Sequence, residues 1–87
     1  MSTLKIIASG LDTFEPRPAI ALHHQIKEDL FLHLRAGRWP SGFELPPEEE
    51  LRVHYGVSRG TIRRAITDLA SDGYVERHRG RGTFVSR

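Results

Sequence analysis

The sequence predicts a mainly α fold with a small β hairpin: three helices, then two short strands. Three observations carry this. Apolar residues recur at helical spacing in three separate segments. Glycine or proline punctuates each junction between those segments. After Gly73, a short alternating run is followed by a Gly-rich turn and a second apolar run. The 87 residues make one domain. A chain of this size buries only about 60–65% of its unfolded surface, so each helix must bury its apolar face in a shared core.

Residues 1–18 contain Gly10, Pro16 and Pro18 and show no sustained period. They read as an arm preceding a domain at 19–87. Leu4, Ile6, Ile7, Leu11 and Phe14 would let that arm add a strand or pack on a partner subunit. The first helix is expected from Ile20 to Ala36. Leu22, Ile26, Leu30, Phe31 and Leu34 share one face there, and Gly37 closes it. Arg38 to Leu45 is a loop with a short strand expected at Phe43–Leu45, and Trp39 and Phe43 are expected to cover the edge of the core. Pro46-Pro47 and then Glu48-Glu49-Glu50 mark a second helix start. Proline is tolerated in a first turn, and carboxylates there complement the helix dipole. Leu51 and Tyr55 continue the apolar face up to Gly56.

Ser58 is placed to cap a third helix through its hydroxyl. Ile62, Ala65, Ile66 and Leu69 form its buried stripe, and Asp72-Gly73 ends it. Two helices joined by Gly56-Val57-Ser58 make a helix-turn-helix. Tyr74–Arg77 and Thr83–Val85 then read as strands around the turn His78-Arg79-Gly80-Arg81-Gly82, with Tyr74 and Phe84 expected to be buried. The whole is a winged helix-turn-helix.

Charge is distributed unevenly. Residues 1–56 carry six Lys/Arg against eight Asp/Glu, and residues 57–87 carry seven Arg against three acids. The overall +2 therefore hides −2 followed by +4. The basic part has arginine and no lysine, and the planar guanidinium fork suits phosphate and guanine. On the third helix Arg59 and Arg63 lie one turn apart, off the apolar stripe. A helix of this width fits the DNA major groove with its N-terminal residues at the base edges. Ser58 and Thr61 are placed for phosphate or bases, and Gly60 lets the backbone approach a sugar-phosphate strand. Arg64, about 100° around from Arg63, is placed for phosphate. The tip Arg79-Gly80-Arg81 suits a minor groove, where negative potential concentrates. The chain has no Asn, and its one Gln, Gln25, is on the first helix. Guanine is therefore the base these arginines are expected to read, so each half-site should contain an essential G.

Other chemistry is poorly supported. Without cysteine there is no disulfide scaffold, thiolate zinc site or cysteine nucleophile. No apolar run reaches the length of a membrane span, and the start lacks the pattern of a secretory signal. A cytoplasmic location is expected. His24 and Glu28 form a surface i, i+4 pair, His23 reads as a packing residue, His54 caps or packs near a helix end, and His33 joins no metal motif. Glu48, Glu49 and Glu50 are consecutive on a helix and do not converge. Ser58 lacks a base and an orienting group. No enzyme and no cofactor are expected.

Residues 22–85 resemble the N-terminal winged helix-turn-helix domain of GntR-family bacterial transcription regulators. The likeness rests on Gln25-Ile26, Leu30, Leu34, Gly37, Gly42, Leu45-Pro46, Glu48, Leu51, Gly56-Val57-Ser58-Arg59, Thr61, Arg63, Ala65, Leu69, Gly73 and Gly80-Arg81-Gly82-Thr83-Phe84-Val85. It implies sequence-specific binding to double-stranded DNA, as a repressor and as a homodimer on a palindrome with GT…AC half-sites. By the resemblance, Ser58, Arg59 and Arg63 match DNA-touching positions of the recognition helix, and Arg79 with Gly80 matches the wing tip. It also implies a C-terminal effector-binding domain, which is expected to lie outside this chain, leaving a fragment cut at the wing. The sequence departs from the family pattern at Glu49, where some members have a DNA-contacting Arg, and at Gly60, Pro47, His23 and Ala21. The competing reading is a winged helix used for protein contacts, which would favour apolar residues on the recognition face. RNA binding would need exposed aromatics for stacking.

Overall fold

A computed structural model describes residues 20–86. The expected arm at 1–18 lies outside the described residues. The elements in order are helix α1 (Leu22–Arg35), helix α2 (Glu48–Tyr55), helix α3 (Arg59–Ser71), strand β1 (Val75–His78) and strand β2 (Gly82–Val85). Both α1 and α2 pack on α3, and β1 follows α3 back against it.

Helix α1 begins two residues later than its periodicity suggests. Ala21 has φ −56° and ψ 135°, which is not helical, and its methyl group cannot cap. Leu22, expected in the buried stripe, is 41% exposed because it occupies the first turn. The buried face is instead Gln25, Ile26, Leu30 and His33. Phe31 and Leu34 pack only partly against it. The helix closes with paired bonds from Gly37 N–H to the Leu34 carbonyl and from Arg38 N–H to the His33 carbonyl. Helix α3 closes the same way, from Gly73 N–H to the Ala70 carbonyl and from Tyr74 N–H to the Leu69 carbonyl. That second closure takes the Tyr74 N–H, so Tyr74 joins the hairpin by one bond only, its carbonyl accepting from Ser86 N–H at 3.0 Å. β1 therefore starts at Val75, one residue after the expected position. Tyr74 is 42% exposed, not buried, with its ring against Phe31 at 4.7 Å.

The helix-turn-helix junction is tight. Gly56 has φ 68°, a left-handed conformation that ends α2 without the penalty a Cβ would bring. Pro47 precedes α2 without a side-chain cap, whereas Ser58 caps α3 by accepting from Thr61 N–H at 3.2 Å. Ile62, Ala65, Ile66 and Leu69 are the buried residues of α3, as their spacing requires. They form one core with Ile26 and Leu30 of α1, Leu51 and Tyr55 of α2, Leu45 and Val75. Trp39 is 1% exposed, so it belongs to that core and does not merely cover its edge.

The strands pair antiparallel in the register Val75↔Val85, Glu76↔Phe84, Arg77↔Thr83 and His78↔Gly82. Phe84 is half-buried, its ring edge-on to His78 at 5.1 Å. The short strand expected at Phe43–Leu45 is reduced to a single bridge, Glu44↔Phe84, on the outer side of β2. Leu45 donates to Thr83 and Val85 donates to Phe43 there. Pro46 and Pro47 have no N–H to extend the pairing.

Candidate nucleic-acid interface

The N-terminal half of α3 leaves a polar face once its stripe is buried. Arg59, Gly60, Arg63 and Arg64 are exposed there, as is the capping residue Ser58, and Thr61 is half-buried. Ser58 and Thr61 also share a hydroxyl–hydroxyl bond of 2.9 Å, so the cap and the helix start are tied together. A Cβ added at Gly60 would meet nothing nearer than the Ser58 Oγ at 3.9 Å. The backbone is therefore open on that side.

Arg59 and Arg63 do not simply extend into solvent. Arg59 Nη2 donates to Glu49 Oε1 at 2.7 Å, and Arg63 Nη2 donates to Glu48 Oε1 at 3.3 Å. Glu49 is also gripped from its own helix. Arg52 Nη2 reaches its Oε2 at 2.5 Å, and Arg52 Nε reaches both carboxylate oxygens at 3.2 Å. Arg52, then Arg59, hold the Glu49 carboxyl down at about 2. These pairs are exposed, and exposed ion pairs add little to stability. Their consequence lies in where they hold the guanidinium groups. The three acids do not converge, in line with their consecutive placement, but two of them face α3, which the helix-dipole argument alone did not anticipate.

The wing is anchored to the same helix. Arg77 Nη2 donates to the Arg63 carbonyl at 2.9 Å. At its tip, Arg81 N–H donates to the His78 carbonyl at 2.8 Å, closing a turn in which Gly80 has φ 76°. Arg79, Gly80 and Arg81 are all exposed. Gly80 and Arg81 share a groove with Pro47 and Glu48 of the α2 start and Ile66 of α3. Wing, α2 start and α3 thus adjoin one another. Arg64 is exposed but joins none of these contacts.

Sequence reasoning named the arginines of α3 and the wing tip but missed Arg52 and Arg77. Arg77 was accessible to it. Val75 is buried against the core, and a residue two further along a strand shares its face. Arg52 follows Glu49 at a spacing of three, a neighbouring position on a helix.

Among the described residues no helix is long and apolar enough to cross a membrane, and no group of His, Cys, Asp and Glu is arranged to hold a metal ion. His24 and Glu28 pair on the surface at 3.4 Å.

Fold and surface together define a winged helix-turn-helix with an arginine-bearing exposed face on its third helix. The family model for bacterial regulatory proteins of the gntR family matches residues 22–85, and the chain belongs to that family. The HTH-type transcriptional repressor NagR of Bacillus subtilis (strain 168) is 38% identical over 68 residues, which are 78% of this chain and 28% of NagR. A probable fructoselysine utilization operon transcriptional repressor of Escherichia coli (strain K12) is 42% identical over 64 residues, 74% of this chain and 26% of the relative. The chain therefore spans about a quarter of the length of these curated relatives. Among solved structures, the AraR DNA-binding domain in complex with operator ORE1 is similar with a TM-score of 0.76 and 39% identity, over 77% of this chain and 82% of that one. A GntR family member from Pseudomonas syringae pv. tomato str. DC3000 gives a TM-score of 0.80 at 26% identity, over 98% of this chain and 35% of that one.

Proposed function

We propose that this chain is the operator-binding part of a bacterial transcriptional repressor, with α3 in the major groove and the wing tip in the minor groove. The observation that carries the reading is the pair Arg59 and Arg63, one turn apart on the exposed face of α3 and adjoining a wing that ends in Arg79 and Arg81. Two similar proteins support it: NagR is a transcriptional repressor, and the AraR domain was solved in complex with an operator.

Each residue then has a role. Arg59 and Arg63 read guanine, since a guanidinium edge matches its O6 and N7. Gln25, the one amide side chain, is buried in α1 and donates to the Ile20 carbonyl, so adenine has no amide reader here. Ser58, Thr61 and Arg64 hold phosphates beside the free N–H groups of the helix start. Gly60 admits the sugar-phosphate strand. Arg79, Gly80 and Arg81 enter the minor groove.

A single module of this kind buries only about 600–1,000 Å², so the operator is a palindrome occupied by two copies of residues 19–87. The reading involves no catalytic step and no cofactor. It places the protein in the cytoplasm, with any small-molecule effector bound by a further domain. Use of α3 for protein contacts is the weaker reading. The exposed large apolar residues among those described, Leu22, Leu32, Val53 and Tyr74, all lie off α3.

The test is a binding selection from duplexes with randomised positions. Enriched half-sites should contain at least one invariant G·C pair, arranged as a palindrome. Enrichment of sites without G·C pairs, or no enrichment, would overturn the proposal.

A further inference from the structure

The acid at position 49 holds an unusual place on a surface meant for a polyanion. It is exposed in the first turn of α2, yet both its oxygens are engaged by arginines from two different helices. Arg52 takes three contacts with it and so fixes the carboxylate in place. Arg59 takes one, through Nη2.

The chemistry of a guanidinium makes that single contact informative. The group has five N–H donors in a rigid plane. Nη2 carries two of them, one on each of the two edges that can meet a planar acceptor pair. Whichever hydrogen Glu49 takes, the other edge keeps both its donors. Arg59 can therefore be held at one corner and still present a two-donor edge to the O6 and N7 of guanine. Holding the side chain in advance also reduces the ordering cost of binding.

The same carboxylate acts oppositely on a phosphate. It cancels the charge of Arg59 locally and repels an anion brought to that spot. A backbone contact there gains little counterion release, whereas hydrogen bonding to a base edge is retained. Specificity is a difference between two affinities, and a repulsive element raises it as surely as an attractive one.

We propose that Glu49 is a specificity-determining residue of the DNA-binding surface: it holds Arg59 by one donor, leaves it a guanine-reading edge, and penalises phosphate at the same place. The inference rests on the operator-binding reading above.

Fluorescence anisotropy of the full 87-residue chain tests it, on a duplex recovered by the selection and on a scrambled duplex of equal composition. The variants are Glu49→Gln and Glu76→Gln, the second a control that makes the same charge change on the wing strand. Glu49→Gln should tighten the scrambled duplex by about 3- to 10-fold, the gain expected from one recovered phosphate contact near 0.1 M salt. It should leave the selected duplex unchanged or weaker. The ratio of the two affinities should then fall by at least about threefold. Glu76→Gln should tighten both duplexes alike and leave the ratio unaltered. Base-pair substitution at the guanine read by Arg59 should cost Glu49→Gln less than it costs the parent. If the parent discriminates and Glu49→Gln keeps its ratio, or if Glu76→Gln lowers it equally, the role of Glu49 is overturned while operator binding stands. If the parent itself shows no discrimination, the operator-binding reading falls, and this inference falls with it.

Discussion

Replacing Tyr55 by Phe tests how the helix-turn-helix is fixed to the rest of the domain. Tyr55 is the last residue of α2, 7% exposed, and its hydroxyl donates to Asp29 Oδ2 on α1 at 2.6 Å. Burial, and then the Asp29 carboxylate, push the phenol far above its ordinary range, so it remains a donor at any working pH. The Phe variant keeps the ring in the core and removes one charge-assisted hydrogen bond. Such bonds contribute about 1.5–3 kcal/mol. A domain of this length has about 4–13 kcal/mol in total, so the loss is a substantial share. At about 4–8 °C per kcal/mol, the melting temperature should fall by about 6–24 °C. Circular dichroism melts and urea titrations of Tyr55→Phe, Asp29→Ala and the double variant would measure it. The double variant should cost clearly less than the two singles added together, because they remove the same bond. A loss below about 0.5 kcal/mol for Tyr55→Phe, or full additivity, would show that this bond does not anchor α2 to α1.

Three further outcomes are expected. Gly60→Ala should raise stability by about 0.5–1 kcal/mol, since a helical glycine is replaced at a position with open space, and at the same time weaken DNA binding, since a methyl then stands between backbone and phosphate. Melting and anisotropy measured together check this, and tighter DNA binding would contradict the close approach at Gly60. His33 is fully buried and stacked on Trp39 at 4.9 Å. Burial lowers its basicity, Asp29 at 4.0 Å opposes the shift, and Arg38 and His54 reinforce it. The unfolded chain thus binds the proton more readily, so this contribution is fully present above pH ~6.5 and is lost as the pH falls below it. The urea midpoint should drop between about pH 7.5 and 5.5, and more steeply in the parent than in His33→Phe; equal slopes would exclude His33 as the cause. Arg81→Ala should weaken binding to all duplexes alike and reduce the salt slope by about 1, as the loss of one cation held in the negative potential of the minor groove does. A loss confined to one base pair would make Arg81 a base reader.

The helices were legible because each carries its own punctuation. Ile62, Ala65, Ile66 and Leu69 on α3 repeat at the helical period, Ser58 and Gly73 bound them, and the structure buries the same four. What was less legible depended on neighbours. Leu22 matches the α1 stripe by spacing, yet it precedes the part of the helix covered by the core. Tyr74 alternates correctly for a strand, but its N–H is already engaged in the closure of α3. His33 is polar by type and buried by the indole of Trp39, a loop residue six positions later. At the candidate site, the exposed arginines followed from what the apolar stripe left over. Their engagement by Glu48 and Glu49 did not, because a contact across the turn depends on how α2 and α3 pack. The sequence showed the acids as dipole partners of α2, and the structure shows that they also face α3.

The most direct test of the account is whether the two arginines of α3 read bases. Anisotropy of the parent, Arg59→Ala and Arg63→Ala would be recorded on the selected duplex and on duplexes with each G·C pair exchanged, at several salt concentrations. Each substitution should cost about 1–3 kcal/mol on the selected duplex and abolish the preference at one base pair while sparing the others. If both variants instead lost affinity uniformly across every duplex, the arginines would be phosphate contacts, and the claim that α3 recognises sequence would be contradicted.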